Sequence, residues 1–179
     1  MPDDSDHSLP SPWKEFLTEL DGLLTEPIEL HCIGGFVVCF FYGLPRSTSD
    51  IDYYTSIPAD VNLIDLAGEG SDLAKKHKVW LHRVGVTNLP EDYETRLAQM
   101  FPGQFKNLTL LAPDPYDLML SKLERNTTKD RDDANYLFKA LKLNSKILRE
   151  RYGKELRPYL TNEDRHDSTL QLWIEIFES

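Results

Sequence analysis

Basic residues are scarce in this sequence. Its 20 lysines and arginines face 30 aspartates and glutamates, a net charge of −10, which argues against gripping nucleic acid through a broad basic surface. A local basic cleft or a basic protein partner remains compatible with that charge. Long apolar runs are missing too: the longest, Phe36 to Leu44, falls far short of the roughly 20 residues of a membrane helix. The N-terminus carries Asp3, Asp4 and Asp6 where a secretory leader would be basic. Cysteine occurs twice, at Cys32 and Cys39, each inside an apolar segment. A pair so placed reads as small buried hydrophobes in a reducing compartment, with a disulfide or a metal pair the lesser alternative. There are no internal repeats and no low-complexity segment. A cytoplasmic protein is therefore expected.

What is there is ordinary for a globular chain: 179 residues, 40% hydrophobic and 28% charged, enough for one core with a helical appendage. Residues 1–9 carry no apolar pattern and are expected to form a disordered tail. Ser11 and Pro12 then open a helix with Trp13, Phe16, Leu17, Leu20, Leu23 and Leu24 at helical spacing, which Pro27 stops.

The stretch around which the chain is organised follows. An apolar strand, residues 28–33, runs into Gly34-Gly35, then an apolar helical run, then Pro45-Arg46-Ser47-Thr48-Ser49 and Asp50-Ile51-Asp52. Two residues without Cβ let the backbone turn sharply and let an anion approach its amides, and the helix starting there turns its positive end to the same spot. Residues two apart in a strand share a face, so Asp50 and Asp52 present both carboxylates to one side while Ile51 faces the core. Such oxygen ligands suit Mg²⁺ shared with substrate phosphate, or two ions roughly 4 Å apart for in-line attack at phosphorus. Arg46 adds a phosphate-matching fork, and Ser47, Thr48 and Ser49 add hydroxyls. Asp-x-Asp alone is common at solvated strand ends, and Gly-Gly alone is most often a turn. Their order here, joined by an apolar helix and followed by Tyr53-Tyr54, carries the reading of a nucleotide site.

Further on, Val61 to Ala67 and Asp72 to Lys76 read as short helices, residues 79–86 as a third strand and 105–111 as a fourth. Asp114 and Pro115 announce a helix with Lys122 and Arg125 on one face. Thr127 or Thr128 caps the next, which begins Lys129-Asp130-Arg131-Asp132-Asp133. Helices continue to the end, the last capped by Thr161 or Asn162. Its Trp173 and Phe177, four apart, read as a core stripe or as a protruding apolar face for a partner.

Gly34-Gly35, a helix, and Arg46-x-Thr48-x-Asp50-Ile51-Asp52 resemble the signature of the DNA polymerase β-like nucleotidyltransferases, most closely the minimal, toxin–antitoxin-associated branch of AbiEii-type and DUF6036 proteins. The block Lys122-x-x-Arg125-x-x-x-Lys129-Asp130-x-x-Asp133 is similar to the second block of that branch. Together these blocks span residues 28–140. The resemblance implies an α+β fold: a small mixed sheet of four to five strands with flanking helices as the nucleotidyltransferase core, residues 10–112, and a C-terminal helical bundle, residues 113–179, packed on it with the site between. It implies Mg²⁺ (or Mn²⁺) on Asp50 and Asp52, and an NTP whose phosphates meet Gly34, Gly35, Arg46, Ser47, Thr48, Ser49, Lys122, Arg125 and Lys129. Asp130 and Asp133 would orient those bases or assist proton removal. The acceptor would be a tRNA 3′ end or a hydroxyl of a cognate protein, in a toxin–antitoxin or phage-defence setting. The family places a third carboxylate on the third strand, where this sequence has His82 and Arg83. Either His82 substitutes as ligand or base, or the carboxylate comes from elsewhere. The alternative is a non-catalytic relative that binds nucleotide or a partner.

Overall fold

The computed structural model describes residues 9–59 and 62–179, so Met1 to Ser8 of the expected tail and Val61 of the expected short helix lie outside the described residues. Leu9, assigned to that tail, is instead buried, as an apolar side chain gains from leaving water. The fold is mixed α/β, with one five-stranded mixed sheet and eight α-helices among the described residues. Two compact units divide it. The first runs through Gly85 and includes Ala98–Ala112; the second takes Val86–Leu97 and Pro113–Ser179. No helix among the described residues is long and apolar enough to cross a membrane.

In the first unit, helix α1 (Trp13–Leu23) buries Trp13, Phe16, Leu17 and Leu20, one continuous stripe at helical spacing. Ser11 does not cap it. Pro12 takes the cap position, and the Ser11 hydroxyl donates to Glu15 Oε1 at 2.7 Å. Strand β1 (Ile28–Ile33) leads directly into helix α2 (Gly34–Phe40), whose Phe36 ring packs 4.9 Å from Trp13. Strand β2 (Asp50–Ile57), short helices α3 (Leu63–Ala67) and α4 (Asp72–His77), and strands β3 (Trp80–Arg83), β4 (Ala98–Met100) and β5 (Leu108–Ala112) complete the unit.

The sheet order is β3-β2-β1-β5-β4. Central β1 is antiparallel to β2 and parallel to β5, β2 is parallel to β3, and β4 is antiparallel to β5. Its central place explains why β1 is buried almost throughout. Between β1 and β2 the register steps from His31↔Thr55 to Cys32↔Tyr53, leaving Tyr54 as the extra residue of a bulge. β3 is shorter than the expected 79–86, because the chain joins the second unit from Val86. β4, three residues long, has no counterpart in the sequence reading. β5 starts later than expected because the amides of Lys106, Asn107 and Leu108 donate to the Asp21 carboxylate of α1 at 3.0, 2.7 and 2.8 Å.

The second unit holds a 3₁₀ turn (Tyr93–Arg96) and helices α5 (Pro115–Leu120), α6 (Thr128–Ala140), α7 (Ser145–Arg151) and α8 (Glu163–Glu178). Asp114, Thr127, Asn144 and Asn162 cap them, Thr127 through a reciprocal capping box with Asp130. Arg96 ties residues 86–97 into this unit: it meets both Asp117 oxygens at 2.8 and 3.0 Å and Glu155 at 2.6 Å. Trp173 and Phe177 do not protrude. Trp173 Nε1 donates to Asn126 Oδ1 at 2.9 Å, and the Phe177 ring lies 5.2 Å from Phe138. The apolar residues that α8 leaves exposed are Leu172 and Ile176.

Asp21→Ala strands three amides at the start of β5. It is expected to cost about 1–3 kcal/mol in urea unfolding, the range for deleting an acceptor of several backbone donors.

Candidate functional site

Ile33, the last residue of β1, is in register with Asp52 of β2, so the turn leaving β1 lies against the start of β2. Gly34 has φ +74°, a conformation that costs an L side chain about 1–2 kcal/mol, and a Cβ there would collide with the Asp52 carboxylate. At Gly35 a Cβ would stand 3.1 Å from the Arg46 guanidinium and 3.5 Å from Thr48 Oγ1. Gly34 thus makes room for a carboxylate of β2, and Gly35 for side chains of the loop that precedes it. Thr48 Oγ1 donates to Asp50 Oδ1 at 3.1 Å, Arg46 to the Ser47 carbonyl at 3.3 Å, and the Trp80 amide to the Ser49 carbonyl at 3.2 Å, fastening the loop to β3. The structure therefore brings Gly34, Gly35, Arg46, Ser47, Thr48, Ser49, Asp50 and Asp52 to one end of the sheet.

Ile51 and Tyr53 are buried, which turns Asp50 and Asp52 to the opposite face of β2. Parallel pairing aligns Asp50 with Trp80 and Asp52 with His82, so His82 arrives on the carboxylate side. His82 Nδ1 donates to Asp52 Oδ1 at 2.7 Å, since an ionised carboxylate can only accept. Ligand atoms of Asp50, Asp52 and His82 all lie within 4.8 Å of one another. Two donors each about 2.0–2.3 Å from one ion lie about 3–4.5 Å apart. The donor set fits a divalent cation: two carboxylates balance its charge, and an imidazole adds a third donor. The Asp52 side chain is 20% exposed and that of His82 58%, so a ligand can reach both. Trp80, two residues before His82, is the neighbour of the cluster that motif reading passed over.

The second block forms a cluster of its own within the second unit. Lys122, 4% exposed, donates to Asp133 Oδ2 at 3.0 Å and lies 3.6 Å from Asp130 Oδ1. Arg125 grips both Asp130 oxygens at 2.8 and 2.6 Å, and the Thr127 amide and hydroxyl donate to Asp130 at 3.1 and 2.7 Å. Burial opposes ionisation of Asp130, but Arg125, Thr127 and Lys122 outweigh it and hold the carboxyl well below the usual range. The Arg125 side chain is 64% exposed, and Lys129 is exposed on the first turn of α6. Cys32 and Cys39 are free and buried, and burial pushes the Cys32 thiol up to about 12.

The family model described as a nucleotidyltransferase of unknown function, DUF6036, matches residues 14–179. The chain belongs to the DUF6036 family. No curated protein and no solved structure matches it. The matched span takes in both the Gly34 to Asp52 segment and the Lys122 to Asp133 cluster.

In this DUF6036 protein, Gly34→Ala is expected to lose more than about 2 kcal/mol in chemical unfolding, from backbone strain plus displacement of Asp52. Gly22→Ala, in the last turn of α1, whose Cβ meets nothing within 4 Å, should gain up to about 0.5 kcal/mol. A loss at both positions would remove the steric account of Gly34.

The depressed pKa of Asp130 stabilises the fold above its unfolded value of about 3.9, and that stability is lost as pH falls toward the folded value. Melting temperatures from pH 7 to 3 should therefore fall less steeply in Asp130→Asn than in the wild type, from a lower starting point.

Proposed function

We propose that this protein transfers a nucleoside monophosphate from an NTP to a hydroxyl acceptor. The observation that supports this best is the packing of Gly34 against Asp52 and of Gly35 against Arg46 and Thr48. It sets a backbone turn, a guanidinium and two carboxylates around one spot. Family membership supports the reaction class.

Asp50 and Asp52 would hold the divalent ion, whose chemistry there would be to neutralise phosphate charge and to make an acceptor hydroxyl more acidic. Arg46 and the amides of the Gly34-Gly35 turn bind phosphate oxygens, with Ser47, Thr48 and Ser49 supplying hydroxyls beside them. Thr48 also fixes the Asp50 rotamer through its hydrogen bond. The acceptor oxygen forms a bond to the α-phosphorus, the bond from that phosphorus to the β-phosphate oxygen breaks, pyrophosphate leaves, and the acceptor proton passes to a base or to solvent. Lys122, Arg125 and Lys129 bind the triphosphate, and Asp130 and Asp133 orient them, as the contacts of Arg125 with Asp130 and of Lys122 with Asp133 suggest. The acceptor is an RNA 3′ end or a hydroxyl of a partner protein. The net charge of −10 favours a protein or an RNA gripped only at its tip, in a toxin–antitoxin or phage-defence setting.

One observation favours a second reading. Asp52 faces His82 where a third carboxylate is expected, which suits a module that binds nucleotide or a partner without turnover.

Label transfer from the four α-labelled NTPs into total RNA and protein distinguishes the two. The expected result is label in one pool, reduced at least about a hundredfold in Asp52→Asn, as for loss of a principal electrostatic group. No label from any NTP, together with a metal-dependent rise in melting temperature on adding NTP, would replace the first reading with the second.

A further inference from the structure

We propose that His82 is the third protein ligand of the ion held by Asp50 and Asp52, and that its nitrogen makes this centre select a first-row transition ion over Mg²⁺. The inference rests on the metal-binding reading above and adds which ion the site takes.

Three features of the chain support it. Strand register fixes His82 beside Asp52, so its presence in the cluster follows from backbone pairing and not from a chance rotamer. The ring is already turned inward, held by the 2.7 Å hydrogen bond to Asp52 Oδ1. Its ligand atom and those of both carboxylates lie within one span of 4.8 Å. Side-chain exposure of 58% at His82 lets the ring release its Nδ1 proton to solvent, stay neutral as the tautomer protonated at Nε2, and turn from hydrogen bonding to coordination without disturbing the core.

The consequence for the ion is chemical. Mg²⁺ is hard, keeps its water reluctantly exchanged, and is best served by negatively charged oxygen. A neutral imidazole in place of a third carboxylate removes one negative charge from the site and substitutes a softer donor. Transition ions gain from nitrogen ligation, with affinity rising from Mn²⁺ to Co²⁺. An Asp-Asp-His set is therefore a poorer Mg²⁺ site and a better site for the transition series than three carboxylates on the same strands.

The test is binding of Mn²⁺, Co²⁺ and Mg²⁺, each alone, to the full chain by calorimetry, with pulsed electron paramagnetic resonance of the Mn²⁺ complex. The expected order is Co²⁺ tighter than Mn²⁺ and Mn²⁺ at least about tenfold tighter than Mg²⁺, with nitrogen modulation from a directly bound imidazole in the Mn²⁺ spectrum. His82→Ala should abolish the nitrogen modulation and weaken Mn²⁺ and Co²⁺ about 10–100-fold, at least the loss seen when a ligand's outer partner is removed, while changing Mg²⁺ little. His82→Asp should tighten Mg²⁺ and reverse the preference. Mn²⁺ that binds, is lost in Asp52→Asn, yet shows no nitrogen coupling and no response to His82→Ala would overturn the role of His82 and leave the metal-binding reading intact. Absence of binding by all three ions to the wild type would overturn both.

Discussion

The Asp52 carboxylate fills the space that a side chain at position 34 would need. That exclusion sets what the neighbouring parts can be. Residue 34 must be glycine on steric grounds and again because of its positive φ. The turn must come directly at the end of β1, because Ile33 is in register with Asp52. The bulge at Tyr54 decides which residues of β2 face that turn, and a shift of one residue would exchange the carboxylates for Ile51 and Tyr53. Buried Ile51 and Tyr53 oppose such a slip, since it would expose both.

The two charged clusters work differently. In the second unit, Lys122, Arg125, Asp130 and Asp133 answer one another within a mostly buried group, and the fold gains a rigid arrangement of cations at the cost of removing charge from water. At the end of the sheet the acids outnumber the cations. Asp50 is partnered by Thr48 and Asp52 by His82, an arrangement with capacity for added positive charge.

Much of this was legible in the residues. β1 lies over the residues 28–33 that its apolar run marked, and α5 and α6 begin where Asp114 and Thr127 offered caps. These are local signals, decided by side chains within a few residues of one another. What was hidden depends on distant pairing. β4 exists only through its bonds to β5, and its three residues are too short to show alternation. β5 begins late because Asp21, far earlier in the chain, takes the amides that would otherwise extend it. His82 could be placed on a strand from its neighbours, but its position beside Asp52 is a matter of register between two strands joined by a long crossover. The Trp173 and Phe177 stripe was ambiguous for the same reason, because its cover comes from Asn126 and Phe138.

Residues 86–97 leave the sheet between β3 and β4, and the chain then returns to finish it. During synthesis from the N-terminus, the first unit has all its strands once β5 has emerged. At that moment Arg96 has emerged but Asp117 and Glu155 have not, so residues 86–97 are without their ionic anchors. Only when α5 and then Glu155 have followed does the segment gain the ion pairs that tie it into the second unit.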